Sequence, residues 1–408
     1  MAHVGLGWVL HEQASDGESG GFCYCIRRGD AVHTIPGSQL AGLPTCAPRV
    51  KLSPDITTHE AWLTEHVHYQ PSDIVIATFP KCGTTFVEQI VLLLLNGGVA
   101  DALNPLCKNS IAALDGAGHV GKVWPEACLV PDDTPEPLQY PPGRPQRPEM
   151  RPMRLSAFNA LPPPRVIKTH APVTHLLSRQ TDGTPAPARY IVVTRNPLDA
   201  CVSCYYHAWH PQSSGWPFDA HALAWLDGRG NGSFGAQGTW CDFYTGWSEA
   251  AHRFPPPPQG TVSSPTAPAV LWLHYEALLR DPAREIRSIA SFLGLDADDS
   301  DFINRVVEGS SFSRMRNAAV AAEDATENAI QDAKARPAYD VPGKLRQNER
   351  RLADHLRKGE IGDWRRHFDP YPGLLAAFEE AFADSCMGTC NGREWDCGEG
   401  QLMVTQRE

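Results

Sequence analysis

Short apolar runs alternate along the middle of the chain with longer segments in which apolar positions recur at helical spacing. The run Asp73–Phe79 (DIVIATF) predicts a buried strand that breaks at the following Pro-Lys-Cys-Gly. Thr84–Leu95 (TTFVEQIVLLLL) predicts a helix, which the sequence Asn-Gly-Gly at 96–98 ends. The chain is therefore expected to form a strand, a tight glycine-containing loop and a helix in direct succession.

Three further apolar runs predict strands, at Arg165–His170, Arg189–Thr194 and Ala269–His274. A helix is predicted from Pro197 to about 207, because proline suits the first helical turn, and an amphipathic helix from Asp281 to Gly294. Strands that alternate with helices favour an α/β fold in which a parallel sheet is flanked by helices on both faces.

Proline is unusually frequent, with 36 of 408 residues, and its clusters indicate where the chain leaves the regular fold. We expect an irregular N-terminal extension over 1–50, one enlarged domain over 51–385 and a C-terminal tail over 386–408. A chain of this length also permits two or three domains. Pro-rich or polar stretches predict surface-loop insertions in the main domain, at about 131–164, 254–268 and 318–343.

Charge and composition exclude some classes of function. With 36 Lys and Arg against 47 Asp and Glu, the formal net charge is −11, which argues against a general nucleic-acid-binding protein. No apolar run is long enough for a membrane span, and the N-terminus lacks the pattern of a secretory signal. The twelve scattered cysteines favour a reduced, cytoplasmic protein, and the spacing of Cys386, Cys390 and Cys397 does not predict a metal site.

The loop after the first strand has the chemistry of an anion site. A glycine-containing turn into a helix N-terminus presents unpaired backbone N–H groups, to which Lys81 adds a charge and Thr84 and Thr85 add hydroxyl donors. An ordinary turn with a surface lysine is the alternative. The loop differs from the Walker A sequence because Lys81 precedes Gly83 instead of following it.

The loop sequence TFPKCGTTF resembles the TYPKSGTTW loop of the cytosolic-type sulfotransferases, with departures at Phe79, Cys82 and Phe86. These enzymes use 3'-phosphoadenosine 5'-phosphosulfate (PAPS). The resemblance implies a P-loop-like fold, in which the 5' end of PAPS contacts Lys81, Cys82, Gly83, Thr84, Thr85 and Phe86.

A histidine follows the second strand, at the edge where α/β sheets place ligands. Histidine can accept a proton from a hydroxyl nucleophile near neutral pH, although a structural histidine is the common alternative. The segment RVIKTHAP resembles the family's KTHLP motif. That resemblance implies that His170 is the general base and that Lys168 neutralises charge on the sulfuryl oxygens.

The segment RNPLDACVS after the third strand pairs Arg195, which offers a planar fork for a phosphate, with the hydroxyl of Ser203. A weak Arg–Asp pair with Asp199 within one helix is the alternative. The segment resembles the family's RNxxDxxVS motif. By that resemblance Arg195 and Ser203 hold the 3'-phosphate of PAPS.

Three later segments resemble further motifs of the family. The YE pair implies that Tyr275 lies near the adenine, although a buried strand-end tyrosine fits equally well. The stretch SSFSRM and the segment RKGEIGDW resemble TSFxxMK and the 3'-phosphate signature RKGxxGDW. These two matches add Ser310, Ser311, Phe312, Met315, Arg357, Lys358 and Gly359 to the expected PAPS site.

These motifs together predict a sulfotransferase that moves a sulfuryl group from PAPS to a hydroxyl or amine of a small apolar acceptor, a phenol, alcohol, sterol or amine, and leaves 3'-phosphoadenosine 5'-phosphate (PAP). No metal is required, because lysines supply the positive charge. We expect the acceptor cavity near Phe86 and His170, with Tyr205, Tyr206 or Trp209 nearby.

Two other functions stay open: an ATP-dependent phosphotransferase, and a nucleotide-binding protein without activity. The dimer motif that the family carries after GDW is not found, since the chain reads RHFDPYP from Arg366, so the oligomeric state is not predicted.

Overall fold

The structure is a computed structural model. It describes residues 2–4, 8–13, 23–28, 31–36, 54–99, 122–136, 138, 152–176, 187–208, 218–226, 228, 238–257, 267–320 and 357–383.

The centre of the fold is a five-stranded parallel sheet. Its strands are β5 (Ile74–Thr78), β6 (Lys122–Val123), β9 (Val166–Thr169), β10 (Arg189–Thr194) and β11 (Ala269–His274). They lie in the order β11-β10-β5-β9-β6, and β10 runs in parallel register with both β5 and β11. All five strands therefore end at the same edge, where P-loop-like α/β folds bind ligands.

Both faces of this sheet are buried, because alternate residues of each strand enter different hydrophobic cores. The strand residues in the first core are Val75, Ala77, Ile167, Tyr190 and Val192. Those in the second core are Ile74, Ile76, Val166, Ile191 and Val193. Trp225, Phe243 and Phe378 cover the first face. Ile90, Ile286 and Ile303 cover the second face.

Helices supply both layers. They are α1 (Pro54–His66), α2 (Thr84–Leu95), α3 (Pro125–Cys128), α4 (Leu155–Asn159), α5 (Val173–Leu176), α6 (Pro197–Ala208), α7 (Phe218–Leu226), α8 (Trp240–Arg253), α9 (Tyr275–Arg280), α10 (Pro282–Leu293), α11 (Ser300–Gly309), α12 (312–320), α13 (Arg365–Phe368) and α14 (Pro372–Ala383). The predicted α/β class, with helices on both faces of a parallel sheet, is confirmed.

Local signals set the element boundaries well. The helix α2 has the predicted bounds and ends at Asn96, and α10 ends at Gly294 with a φ of 77°. Pro282 occupies the first turn of α10, and the Asp281 side chain accepts the Arg284 backbone N–H. The edge strand β6 was not predicted, since two residues are too few to show a period.

The prediction of an irregular extension over 1–50 is wrong for part of that segment. Four strands, β1 (Ala2–Val4), β2 (Trp8–Gln13), β3 (Cys23–Arg28) and β4 (Ala31–Pro36), form an antiparallel sheet in chain order. The physical reason is visible in the sequence. Gly29-Asp30 is a two-residue connection between β-rich runs, which is a hairpin signal.

The expected surface loop over about 131–164 is partly incorporated into the fold. Strand β8 (Met153–Arg154) pairs in parallel with β7 (Leu129–Val130), and Phe158 on α4 is fully buried. The Arg165 guanidinium lies 4.3 Å from the centre of the Phe158 ring. The C-terminal tail lies outside the described residues, as do most of the insertions at 254–268 and 318–343.

Within the described ranges, no helix is both long and apolar enough to cross a membrane.

Candidate active site

The loop between β5 and α2 adopts the backbone that an anion site requires. Lys81 and Gly83 have φ values of 70° and 98°, and Gly83 is the N-terminal cap residue of α2. No side chain in the described structure caps the first turn of that helix. The Thr84 hydroxyl lies 2.5 Å from that of Thr78. The positive end of α2 and its N–H groups thus remain directed at the loop, as anion binding needs.

Cys82 lies in this loop, but its side chain points into the core. Its side chain is fully buried, its thiol donates to the Pro80 carbonyl at 3.9 Å, and its N–H donates to the Phe79 carbonyl. Burial raises the pKa of the thiol to about 12. The serine of the family motif is therefore replaced by a residue whose side chain belongs to the core.

The raised pKa makes Cys82 resistant to alkylation in the folded protein. At pH 8 the group is a neutral thiol, because its pKa lies well above that pH, and only the thiolate reacts. We expect iodoacetamide to leave Cys82 unmodified in the native protein and to modify it in urea, as measured by peptide mass spectrometry. Native modification at the rate of an exposed thiol would contradict this placement.

His170 follows β9 and is held in one tautomer. Its Nδ1 lies 2.7 Å from the Thr78 carbonyl oxygen, which can only accept, so Nδ1 carries the proton and Nε2 the lone pair. The backbone N–H of His170 donates to Glu126, whose carboxylate also accepts the Thr169 hydroxyl. Two contacts therefore fix this buried imidazole at the start of the phosphate loop.

Lys168, two residues earlier, is placed by an aromatic ring and a carboxylate. Its ammonium lies 4.0 Å from the centre of the Trp124 ring and 3.8 Å from Glu88 Oε1. The Trp124 ring meets the His170 ring edge-on at 5.4 Å. Lys168 and His170 thus share a wall of the same site.

Arg195 follows β10 and contacts the phosphate loop directly. One guanidinium nitrogen donates to the Lys81 carbonyl at 3.0 Å, and the group lies 4.5 Å from the centre of the Tyr275 ring. Its Nε is buried and has no hydrogen-bond partner among the described residues. A buried guanidinium with an unused donor fits an anionic ligand. Ser203 lies two helical turns further along α6 and is partly buried.

Tyr275 is packed into the phosphate loop. A Cβ on Gly83 would lie 2.6 Å from Tyr275 Cδ2, and the Phe86 ring meets the Tyr275 ring edge-on at 6.2 Å. Glycine is therefore required at position 83 both for its backbone conformation and for the space that it leaves. Tyr275 is therefore a buried strand-end tyrosine that contacts the phosphate loop, and its place near the adenine stays a prediction.

The segment 357–364 reaches the same edge through a carboxylate on α6. Asp199 accepts the backbone N–H groups of Gly362 and Trp364 at 2.7 and 2.9 Å. Arg357 and Lys358 both form ion pairs with Asp363, which lower the pKa of that carboxyl against the effect of its burial. The structure thus joins this segment to the helix that follows Arg195.

The residues of the stretch 310–315 are placed differently from one another. Phe312 packs on Gly359, whose Cβ would lie 2.6 Å from Phe312 Cδ2. Ser311 is partly buried beside Ser313. The Ser310 hydroxyl donates to the Val306 carbonyl at 2.7 Å, and Met315 is buried. Ser310 and Met315 thus make contacts inside the helical layer, and their contact with PAPS stays a prediction.

A substitution at Gly359 tests whether the contact between Gly359 and Phe312 shapes the site. We expect Gly359→Ala to lower the affinity for PAP about tenfold, because the new methyl group must displace Phe312. Isothermal titration calorimetry measures this. Gly97→Ala is a matched control, since it has nearly the same φ of 68° but nothing within 4 Å of the new Cβ. Each variant costs about 1–2 kcal/mol of backbone strain. Equal affinities in the two variants would contradict the role of the contact.

Several residues that shape the site were not found from the sequence. The Tyr244 hydroxyl accepts the Phe79 N–H and donates to the Val193 carbonyl, which ties the loop to β10. Trp124, Glu126 and Glu88 surround His170 and Lys168. One available signal was Glu88 itself, since it is the one charged residue of the helix α2.

A pocket borders His170 on the side of α1 and α5. Its lining includes Leu63, Val67, Tyr69 and Glu126. Like the acceptor cavity expected near Phe86 and His170, this pocket borders His170, but Phe86, Tyr205 and Tyr206 do not line it. Phe86 packs on Tyr275, and Tyr205 and Tyr206 pack on Phe218 and His367, so the place of the acceptor stays a prediction. Trp209 lies outside the described residues. No cluster of three metal-ligating side chains occurs in the described ranges.

The sequence matches a known protein family. A family model described as "Sulfotransferase domain" matches residues 71–389. Sulfotransferase 1C2 of Rattus norvegicus is 26% identical over 337 residues, 81% of this chain and 86% of the relative. Sulfotransferase 1B1 of Mus musculus is 27% identical over 312 residues, 74% and 80% of the two chains.

Solved structures are also similar. Retinol dehydratase, in complex with androsterone and inactive cofactor PAP, is 18% identical with a TM-score of 0.49, over 94% of this chain and 98% of that one. Mouse sulfotransferase SULT7A1, complexed with PAP, is 18% identical with a TM-score of 0.46, over 83% and 92%. Because the domain match spans well over half of its residues, the chain belongs to the sulfotransferase domain family and is a PAPS-dependent sulfotransferase.

Proposed function

We propose that the protein transfers the sulfuryl group of PAPS to a hydroxyl or amine of a small, largely apolar acceptor, with His170 as the general base. The observation that carries this proposal is the bond from His170 Nδ1 to the Thr78 carbonyl. It leaves the basic Nε2 at the end of the sheet where the phosphate loop begins, so that an acceptor proton has an adjacent site.

The donor is proposed to be held at its two ends. The N–H groups at the start of α2 and Lys81 bind its 5' end, and Lys81 stabilises charge on the departing phosphate oxygen. Arg195, Ser203 and the segment Arg357–Gly359 bind its 3'-phosphate. The buried, unused Nε of Arg195 supports this assignment.

The catalytic residues act by position and charge. As the acceptor oxygen attacks sulfur, His170 Nε2 takes its proton and Nδ1 keeps its bond to the carbonyl. Lys168 neutralises charge on the sulfuryl oxygens. Groups that are fixed before the reaction can supply most of the rate enhancement.

The pocket beside His170 is the proposed place of the acceptor. Its walls combine apolar side chains, such as Leu63 and Val67, with several polar ones, among them Tyr69, Glu126 and His175, which suits a small molecule that carries polar groups. We also propose that the protein acts in the cytoplasm. The buried thiols of Cys82, Cys128 and Cys201 support this proposal, since none of the three forms a disulfide.

The test is a sulfation assay with PAPS and a panel of phenols, alcohols, sterols and amines, analysed by mass spectrometry. We expect sulfated product from at least one class without added Mg²⁺. PAP is expected to bind tightly in calorimetry, whereas ATP binds weakly. Mg²⁺-dependent ATP turnover would favour the phosphotransferase alternative, and PAP binding without any turnover would favour the inactive one.

A further inference from the structure

A fully buried carboxylate lies on α2, one turn after the phosphate loop. Glu88 has no exposed surface. Its Oε2 accepts a hydrogen bond from the Lys122 ammonium of β6, and its Oε1 lies 3.8 Å from the Lys168 ammonium of β9. A buried carboxylate needs opposite charge around it, and two lysines from neighbouring strands supply that charge.

The two carboxylate oxygens of Glu88 differ in their hydrogen bonds. Oε2 is bonded to Lys122, whereas Oε1 is buried and has no hydrogen-bond partner among the described residues. The 3.8 Å distance from Oε1 to Lys168 is too long for a hydrogen bond but short enough for strong attraction inside a protein. Glu88 therefore attracts Lys168 without bonding to it.

Lys168 is held next to His170, the proposed general base. The ammonium lies over the face of Trp124, and the edge of the same ring system contacts His170. A cation over an aromatic face keeps its charge and can turn towards a new anion. The carboxylate, the ring and the imidazole form one connected wall.

We propose that Glu88 is a positioning residue of sulfuryl transfer, which holds the Lys168 ammonium over Trp124 and ready to contact a sulfuryl oxygen. Lys122 completes the arrangement, because it occupies the other carboxylate oxygen and so prevents Glu88 from binding Lys168 too firmly. This inference rests on the role proposed above for Lys168.

The isosteric variant Glu88→Gln separates the charge from the shape of the side chain. We expect kcat to fall about tenfold or more, because Lys168 is no longer held in place. The Kd of PAP is expected to change less than about threefold, since PAP lacks the sulfuryl group that Lys168 contacts. Assays of sulfated product at fixed times give kcat, and calorimetry gives the Kd of PAP.

A double-mutant cycle with Lys168→Met identifies the route of the effect. If Glu88 acts through Lys168, Glu88→Gln lowers kcat less than about twofold in the Lys168→Met background. An equal loss in both backgrounds would overturn this inference alone. If Lys168→Met leaves kcat unchanged, the proposed role of Lys168 fails, and this inference fails with it.

A matched control is the buried carboxylate of Asp73, which forms two hydrogen bonds with Arg165 before β5, at the other end of the sheet. Asp73→Asn is expected to lower the melting temperature but to leave kcat unchanged. If Glu88→Gln does not fold, Lys122→Gln replaces it. We expect that variant to lower kcat severalfold, because Glu88 then binds Lys168 directly, and an unchanged kcat would overturn the inference.

Discussion

Replacing His170 with alanine is expected to lower kcat by about two to four orders of magnitude, the usual effect of losing a general base. The ring is buried, and its bond to the Thr78 carbonyl fixes its position. Alanine removes both the ring and this bond. Donor binding is expected to survive, because the residues proposed to bind PAP lie on other elements. Steady-state sulfation assays and PAP calorimetry measure the two quantities.

His221 offers a control of the same residue type. It is also buried and donates to a backbone carbonyl, that of Cys201, but it lies on α7 and its ring packs on Tyr205. Burial lowers its pKa to about 4, so it is neutral at assay pH. His221→Ala should lower the melting temperature and leave kcat within about threefold. Full turnover by His170→Ala would show that another group takes the proton.

Arg195→Ala is expected to weaken PAP binding about 10- to 100-fold, since a charge-assisted hydrogen bond contributes roughly 1.5–3 kcal/mol. The change removes the guanidinium that contacts the Lys81 carbonyl and the Tyr275 face, so that the loop also loses a support. Calorimetric titration with PAP gives the Kd. The kcat at saturating donor should fall less than kcat/KM.

The control for Arg195 is Arg189, at the opposite end of the same strand. Arg189→Ala removes an equal charge but lies at the edge of the sheet away from the loop, so the Kd of PAP is expected to stay unchanged. Equal losses in the two variants would indicate a general effect of net charge, and an unaffected Arg195→Ala would exclude the 3'-phosphate role.

The sequence predicted the central fold because its signals are local. Short apolar runs defined the strands β5 and β10, and an apolar segment closed by Asn-Gly-Gly defined the helix α2, each to within a residue or two. The sequence did not predict strands that are very short or that pair with a strand distant in the chain. The strand β8 forms only by pairing with β7, and no periodicity in two residues can show this.

The sequence motifs predicted the candidate site residues, but not the residues that hold them in place. Lys81, His170 and Arg195 lie in recognisable segments, and the structure gathers them at the ends of β5, β9 and β10. Tyr244 could not be found, because its role depends on two backbone groups that only the folded chain brings to it. The burial of the Cys82 side chain could not be predicted, because the motif specifies a position and leaves the direction of its side chain open.

The bonds from Asp199 to the backbone of Gly362 and Trp364 have a consequence for the order of assembly. They join groups 163 and 165 positions apart, so the proposed 3'-phosphate site is completed only when the C-terminal part of the chain has docked. A growing polypeptide possesses the phosphate loop long before it possesses this second site. If the nucleotide binds as proposed, it binds completed molecules better than incomplete ones, and by mass action its presence stabilises the completed form.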